Sequence, residues 1–259
     1  MARAAYESIQ VARVGPVYSI ELSKPPLNII DIAMMEEIRE ALQDAEANLD
    51  VRVTAFRGAG PNAFSAGVSI QDHAPDRIEE MIRCFHGIFR QLARTEKVTL
   101  AVVHGHCLGG GFELASMCDL VVASEDARFG QPEIKLGQLA PVGVILLPHL
   151  IGYRKAAELL LTGNTLSAPQ AQALGLINRV AAPEQLSQCA EELLRELLSQ
   201  SGSALRLTKT ILRRVAGLDF EKALAESEAF FLKTLAKTED AKEGVVAFLE
   251  KRAPQWTGR

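Results

Sequence analysis

Several things are scarce or missing in this sequence. It has four cysteines in 259 residues, Cys84, Cys107, Cys118 and Cys189. None forms a C-x-x-C pair or a zinc or haem spacing, and three lie in apolar runs, which suits free thiols in a reducing compartment. There is no basic excess: Lys and Arg number 28 against 32 Asp and Glu, a net charge of -4. A nucleic-acid binder usually carries such an excess, so no nucleic-acid partner is expected. No stretch reaches the ~18 uncharged apolar residues of a spanning helix, so no membrane partner is expected either. The start, Met1 to Glu7, has no apolar signal core, and a cytoplasmic location is the expectation. Internal repeats, low-complexity tracts and Gly/Ser/Pro-rich linkers are absent. What remains is ordinary: 48% hydrophobic and 23% charged residues, the composition of a globular protein.

Periodicity then gives the organisation. Alternation in Ile9–Val14 and Val17–Leu22 around Gly15-Pro16 predicts paired strands. Helical spacing predicts helices over 32–47 and 76–94, each followed by a short β-branched or apolar run, Val51–Phe56 and Val98–Val103. The second run is continuously apolar, as in a strand buried on both faces. Beyond Val121-Val122 the chain reads mainly as helix, with one further strand at Ile177–Val180. The expectation is an α/β core over 1–195 and a helical region over 196–259, packed as one continuous unit.

Three segments carry chemistry. Leu108-Gly109-Gly110-Gly111-Phe112-Glu113 follows the buried strand, and glycines between a strand and a helix let backbone N–H groups approach an anion. It fits neither the dinucleotide G-x-G-x-x-G pattern nor a P-loop. Glu113 lies in an apolar stretch, where desolvation raises a carboxyl pKa and suits it to proton transfer. Glu133 lies in a second glycine-bounded turn, Phe129-Gly130-Gln131-Pro132-Glu133. Two such carboxyls can serve as an acid and base pair, although each taken singly is more often a cap or an ion-pair partner. In Phe64-Ser65-Ala66-Gly67-Val68-Ser69-Ile70, Gly67 allows a conformation that exposes the Val68 N–H. With the Gly110 N–H it could form an oxyanion hole. His73 and His86 flank the second helix and could line a pocket, though a surface or core position is the commoner fate of a lone histidine. Arg206, Lys209, Arg213 and Arg214 read as a solvated helix face.

Together these segments resemble the enoyl-CoA hydratase/isomerase (crotonase) family. The resemblance runs in order along nearly the whole chain, through Leu161-Thr162-Gly163, Ala173-Leu174-Gly175-Leu176-Ile177 and Phe248-Leu249-Glu250-Lys251-Arg252. It implies a crotonase-like spiral of ββα turns with a helical C-terminal trimerisation region, and a homotrimer or dimer of trimers. It also implies an acyl-CoA thioester substrate, Val68 and Gly110 as enolate-stabilising donors, and Glu113 and Glu133 as the acids holding one water. Keeping both acids favours hydration over isomerisation. Substrate contacts are expected at Lys24, Leu27, Ala66, Ser69, Ile70, Gly109, Pro132, Pro141 and Val142. No metal or redox cofactor is implied, CoA being part of the substrate.

Two departures stand out. Ser69 occupies a position where many members have Asp, and Ala140–Pro148 replaces a polar glycine-rich loop with an apolar one. The second departure predicts an apolar acyl wall made by Pro141, Val142, Val144, Ile145, Leu146 and Leu147, and so a compact apolar acyl group. Within the family the nearest resemblance is to the cyclohexa-1,5-diene-1-carbonyl-CoA hydratases of anaerobic aromatic degradation. It rests on Asn28-Ile29-Ile30-Asp31, His73-Ala74-Pro75-Asp76 and Gly137-Gln138-Leu139-Ala140-Pro141. The alternatives are an enoyl-CoA isomerase, a general short-chain enoyl-CoA hydratase, or a non-catalytic acyl-CoA- or RNA-binding scaffold.

Overall fold

A computed structural model describes residues 6–259. Its contacts group into two units. The first runs to Thr95 and resumes over Thr99–Glu191; the second comprises Glu96–Val98 and Glu192–Arg259.

The first unit begins with the expected hairpin, β1 (Ile9–Val14) and β2 (Val17–Leu22), turning at Gly15 with φ +56°. Helix α1 (Ile32–Ala47) follows, and its start is fixed by Asp31, whose side chain accepts from the Met34 N–H at 3.0 Å. Its apolar positions, Ile32, Met34, Met35, Ile38, Ala41, Leu42 and Ala45, are all buried. Three successive passes of the chain then repeat one plan. Each places a strand in a first sheet and a three-residue strand in a second, then turns into helix. They are β3 (Val53–Gly58), β4 (Ala63–Ser65) and α2 (Ile78–Arg94); then β5 (Val98–Val103), β6 (His106–Leu108) and α3 (Gly110–Met117). Last come β7 (Leu120–Ser124), β8 (Arg128–Gly130) and α4 (Gly143–Ile151). This is the spiral of ββα turns that the resemblance implied.

After α5 (Tyr153–Thr162), β9 (Thr165–Ser167) and α6 (Ala168–Ala173), β10 (Arg179–Ala181) completes the first sheet, ordered β1-β2-β3-β5-β7-β10. The second sheet is ordered β4-β6-β8-β9. All six residues of β5 are buried, as its unbroken apolar run predicts. On α2 the buried residues are Met81, Cys84, Phe85, Ile88, Phe89 and Leu92. Phe85 meets Phe89 edge-on at 4.9 Å between ring centroids.

The second unit carries the end of α7 (Leu186–Leu198) with α8 (Gly202–Val215), α9 (Phe220–Lys233) and α10 (Glu239–Glu250). Asp240 ties it together, accepting from the Ser201 hydroxyl at 2.6 Å and the Thr257 N–H at 2.7 Å. Trp256 Nε1 donates to Ser199 O at 2.9 Å. The basic stretch is engaged with neighbours: Arg206 pairs with Glu96 and Arg214 with Glu226.

Several expectations need correction. Strand β9 was not legible: three residues show no periodicity, and it is fixed by antiparallel pairing with β8. The strand expected at Ile177–Val180 lies at Arg179–Ala181, and Ile177 is a buried residue ahead of it. Of residues 140–148, Ala140 and Pro141 line a cavity as expected, while the rest do not form a loop over it. Helix α4 starts inside them, burying Leu147 and leaving Val144 and Ile145 exposed.

Candidate functional site

Strands β4, β6 and β8 run parallel and adjacent. Neighbouring strands lie about 4.8 Å apart, so the loops leaving their ends, Ala66-Gly67-Val68, Gly109-Gly110 and Gln131-Pro132-Glu133, emerge side by side. Three motifs scattered over some seventy residues of sequence (Phe64 to Glu133) thus meet at one sheet end. The loops touch where glycine is required. A Cβ on Gly67 (φ +112°) would sit 3.7 Å from Gly110 N. One on Gly109 (φ +53°) would lie 2.8 Å from Glu133 Oε1. One on Gly110 would overlap Val68 Cγ2 at 2.6 Å.

These loops open onto a cavity of about 750 Å³. Of the residues expected there, Ala66, Val68, Ser69, Ile70, Gly109, Gly110, Glu113, Pro132, Glu133 and Pro141 line it. Lys24, Leu27 and Val142 do not. Lys24 is ion-paired with Asp31. Leu27 O accepts the Ala66 N–H at 2.9 Å, fastening the Lys24–Asn28 segment to the loop rather than to the cavity. Val142 is a core side chain whose backbone serves the site instead: its N–H, at 2.8 Å, and that of Gly143, at 2.7 Å, both donate to Glu113 Oε1.

That pair of bonds sets the state of Glu113. The N-terminal N–H groups of α4 favour its ionised form, but the carboxyl is 2% exposed, and burial dominates. With the nearby charge of Glu133 adding to it, the pKa rises to about 7. Glu133 is likewise pushed upward by burial, against its own backbone N–H and the positive charge of His73. The Gln131 side chain is almost wholly buried beside Glu133, and with its amide oriented so that nitrogen rather than oxygen faces the carboxylate it donates to Glu133 Oε1 and Oε2 at 3.0 and 3.1 Å.

The two N–H groups expected to face an anion are both directed away from internal partners. Ser69 N donates to Ile30 O and Ile30 N to Gly67 O. Successive N–H groups of an extended segment point to opposite sides, so Val68 N–H faces away from Ile30. Gly110 is the first residue of α3, where N–H groups lack an intrahelical acceptor and the helix end is positive.

The apolar lining of the cavity comes from α2 and the turn before α4: Ile78, Met81, Ile82 and Phe85 from the first, Leu136, Leu139 and Pro141 from the second. Val144, Ile145, Leu146 and Leu147 take no part. His73 and His86 both line the cavity. Gln131 and the α4 N–H groups had no assigned role in the sequence reading. The signal available for Gln131 was an amide enclosed between Gly130 and Pro132 in an apolar turn. The α4 contacts left no local signal, because 29 residues separate Glu113 from Val142.

Two desolvated carboxyls and two residues whose N–H groups are left for an outside acceptor line one cavity, an arrangement suited to acid–base work beside a developing anion. The enoyl-CoA hydratase/isomerase family model matches residues 13–259, and the chain belongs to that family. It is 34% identical to the cyclohexa-1,5-dienecarbonyl-CoA hydratase of Thauera aromatica, over 97% of this chain and 96% of that one. It is also 34% identical to the carnitinyl-CoA dehydratase of Salmonella typhi, over 98% and 99%. An enoyl-CoA hydratase subunit I from Geobacillus kaustophilus HTA426 shares the fold at a TM-score of 0.92 and 38% identity, covering 99% of this chain and 100% of that one. The family, the fold and the hydro-lyase class of enzyme expected from the sequence are those found. Among the described residues no helix is long and apolar enough to cross a membrane.

Proposed function

We propose that this protein adds water across a carbon–carbon double bond conjugated to a CoA thioester. Glu113 takes a proton from the water as its oxygen bonds to the chain, and Glu133 delivers a proton to the neighbouring carbon. The negative charge that develops on the thioester oxygen is held by the N–H groups of Val68 and Gly110. One such donor is typically worth about 3 kcal/mol of barrier. The observation that carries this reading is the convergence of Glu113, Glu133, Val68 and Gly110 on one cavity. Retention of both carboxyls supports hydration over isomerisation. The chemistry calls for no metal or redox cofactor. Lys24 and Leu27, beside the Ala66 loop, are suited to the CoA portion outside the cavity.

The finer proposal is a compact acyl group, a six-membered dienoyl ring, handled in the cytoplasm by a homotrimer or a dimer of trimers. The Thauera aromatica relative supports the ring. So do the apolar faces of Val68, Ile78, Met81, Ile82 and Phe85 around the cavity, which favour hydrocarbon by about 25 cal/mol per Å² buried. Apolar side chains exposed on α9 and α10, Phe220, Phe231, Leu232, Phe248 and Leu249, support assembly. The test is kcat/KM for cyclohexadiene-carbonyl-CoA, crotonyl-CoA and a ten-carbon enoyl-CoA. The ring should be turned over fastest. Faster hydration of the linear thioesters removes the ring assignment and leaves the hydratase.

A further inference from the structure

Helix α2 turns one stripe to the cavity. Ile78, Met81, Ile82, Phe85 and His86 follow the i, i+3, i+4, i+7, i+8 spacing of a single helix face, and all five line the cavity. The next members of the stripe, Phe89 and Leu92, are buried in the core. Four of the five cavity residues are hydrocarbon. The fifth is an imidazole, placed where the stripe leaves the cavity for the core.

His86 has no use within the fold. Its Nε2 is enclosed and makes no hydrogen bond among the described residues. A buried polar atom left unpaired costs stability, so its retention asks for a partner from outside the fold. The other histidine on the wall differs: His73 Nδ1 lies 2.9 Å from Ser69 O. Burial and the charge of Arg90 disfavour protonation of His86. A neutral imidazole carries one donor and one acceptor nitrogen, and a hydroxyl can pair with either.

Phe85 relates the ring to the reacting centre. A Cβ on Gly110 would meet Phe85 Cζ at 2.8 Å, so the Phe85 edge abuts the residue that supplies an anion donor. The His86 ring centroid is 6.3 Å from that of Phe85. An oxygen that reaches His86 therefore lies within a few bonds of a thioester held at Gly110.

We propose that His86 determines specificity by hydrogen-bonding a hydroxyl carried on the acyl group just beyond the reacting double bond. The preferred acyl group is then hydrocarbon against Ile78, Met81, Ile82 and Phe85, with one neutral oxygen at His86. The inference deepens the acyl-CoA reading above and rests on it for the place of the thioester.

The test is calorimetric titration of the wild type, His86→Phe and His86→Gln with 4-hydroxybutyryl-CoA and pentanoyl-CoA. The two thioesters differ only in a terminal hydroxyl or methyl group, and neither has a double bond to hydrate. The wild type should bind the hydroxylated thioester more tightly. His86→Phe keeps a ring without a polar atom, and the preference should fall by at least about 10-fold, as expected when a site built to bond a hydroxyl loses its partner. His86→Gln supplies a donor and an acceptor again and should keep the preference. Comparing two ligands on one variant cancels any general loss of folded protein. An equal preference in the wild type and His86→Phe, or tighter binding of pentanoyl-CoA by the wild type, overturns the proposal. Binding of neither thioester, by a protein that also leaves crotonyl-CoA unhydrated, would instead remove the function on which it rests.

Discussion

At Glu113 burial and hydrogen bonding oppose one another, and the balance has two measurable consequences. The carboxyl is held by two backbone donors yet titrates near 7 instead of its ordinary 4.5. The folded protein therefore binds a proton between those values that the unfolded chain releases. Stability must fall as pH rises through that window. Glu113→Gln keeps an oxygen for the Val142 and Gly143 N–H groups and removes the charge. Its melting temperature at pH 8 should exceed that of the wild type, and the two should converge near pH 4. A variant less stable than the wild type at pH 8 would show that the ionised carboxylate is favoured in the fold. The same substitution should lower kcat by about 10²-fold or more, as should Glu133→Gln. Near-wild-type turnover in either variant removes that residue from the mechanism.

Among the elements, the short strands of the second sheet do the most to build the site, and they were the least visible in sequence. The long elements announced themselves. The spacing of Met34, Met35, Ile38, Ala41 and Leu42 marked α1, and the unbroken run Val98–Val103 marked β5, because a buried face leaves a period. Three-residue strands leave none. Residues Thr165–Ser167 become a strand through pairing with β8, a contact at long sequence separation. Nothing in the spacing of α2 marks its cavity-lining residues, because a face turned to a cavity and one turned to packed core share the same period. The motif loops were legible for a different reason: each needs glycine where backbone meets backbone. Gly111 on α3 shows it, since a Cβ there would lie 2.6 Å from Ser65 O on β4. Gly111→Ala must push helix from strand, and overpacking of this kind costs about 1–3 kcal/mol or more. Thermal denaturation should show a clear drop in melting temperature; an unchanged value would mean that α3 and β4 are not held at this distance.

Across the whole molecule, the repeated pass through both sheets turns a linear order of motifs into a spatial cluster. It brings Gly67, Gly110 and Glu133 to one sheet end and sets Glu113 one helical turn beyond. The resemblance pointed to Glu113, Glu133, Val68 and Gly110, while the apolar lining of the cavity depended on where α2 and the turn before α4 pack and had to come from the fold. The central claim, that this cluster adds water to a conjugated acyl-CoA, is tested most directly by mass analysis of the acyl product formed in D₂O. The wild-type protein should convert an enoyl-CoA thioester into a product heavier by one D₂O, with deuterium bonded to the carbon beside the thioester. Deuterium uptake with a shifted double bond and no added oxygen, or recovery of the unchanged thioester from the whole panel of linear and cyclic substrates, would contradict it.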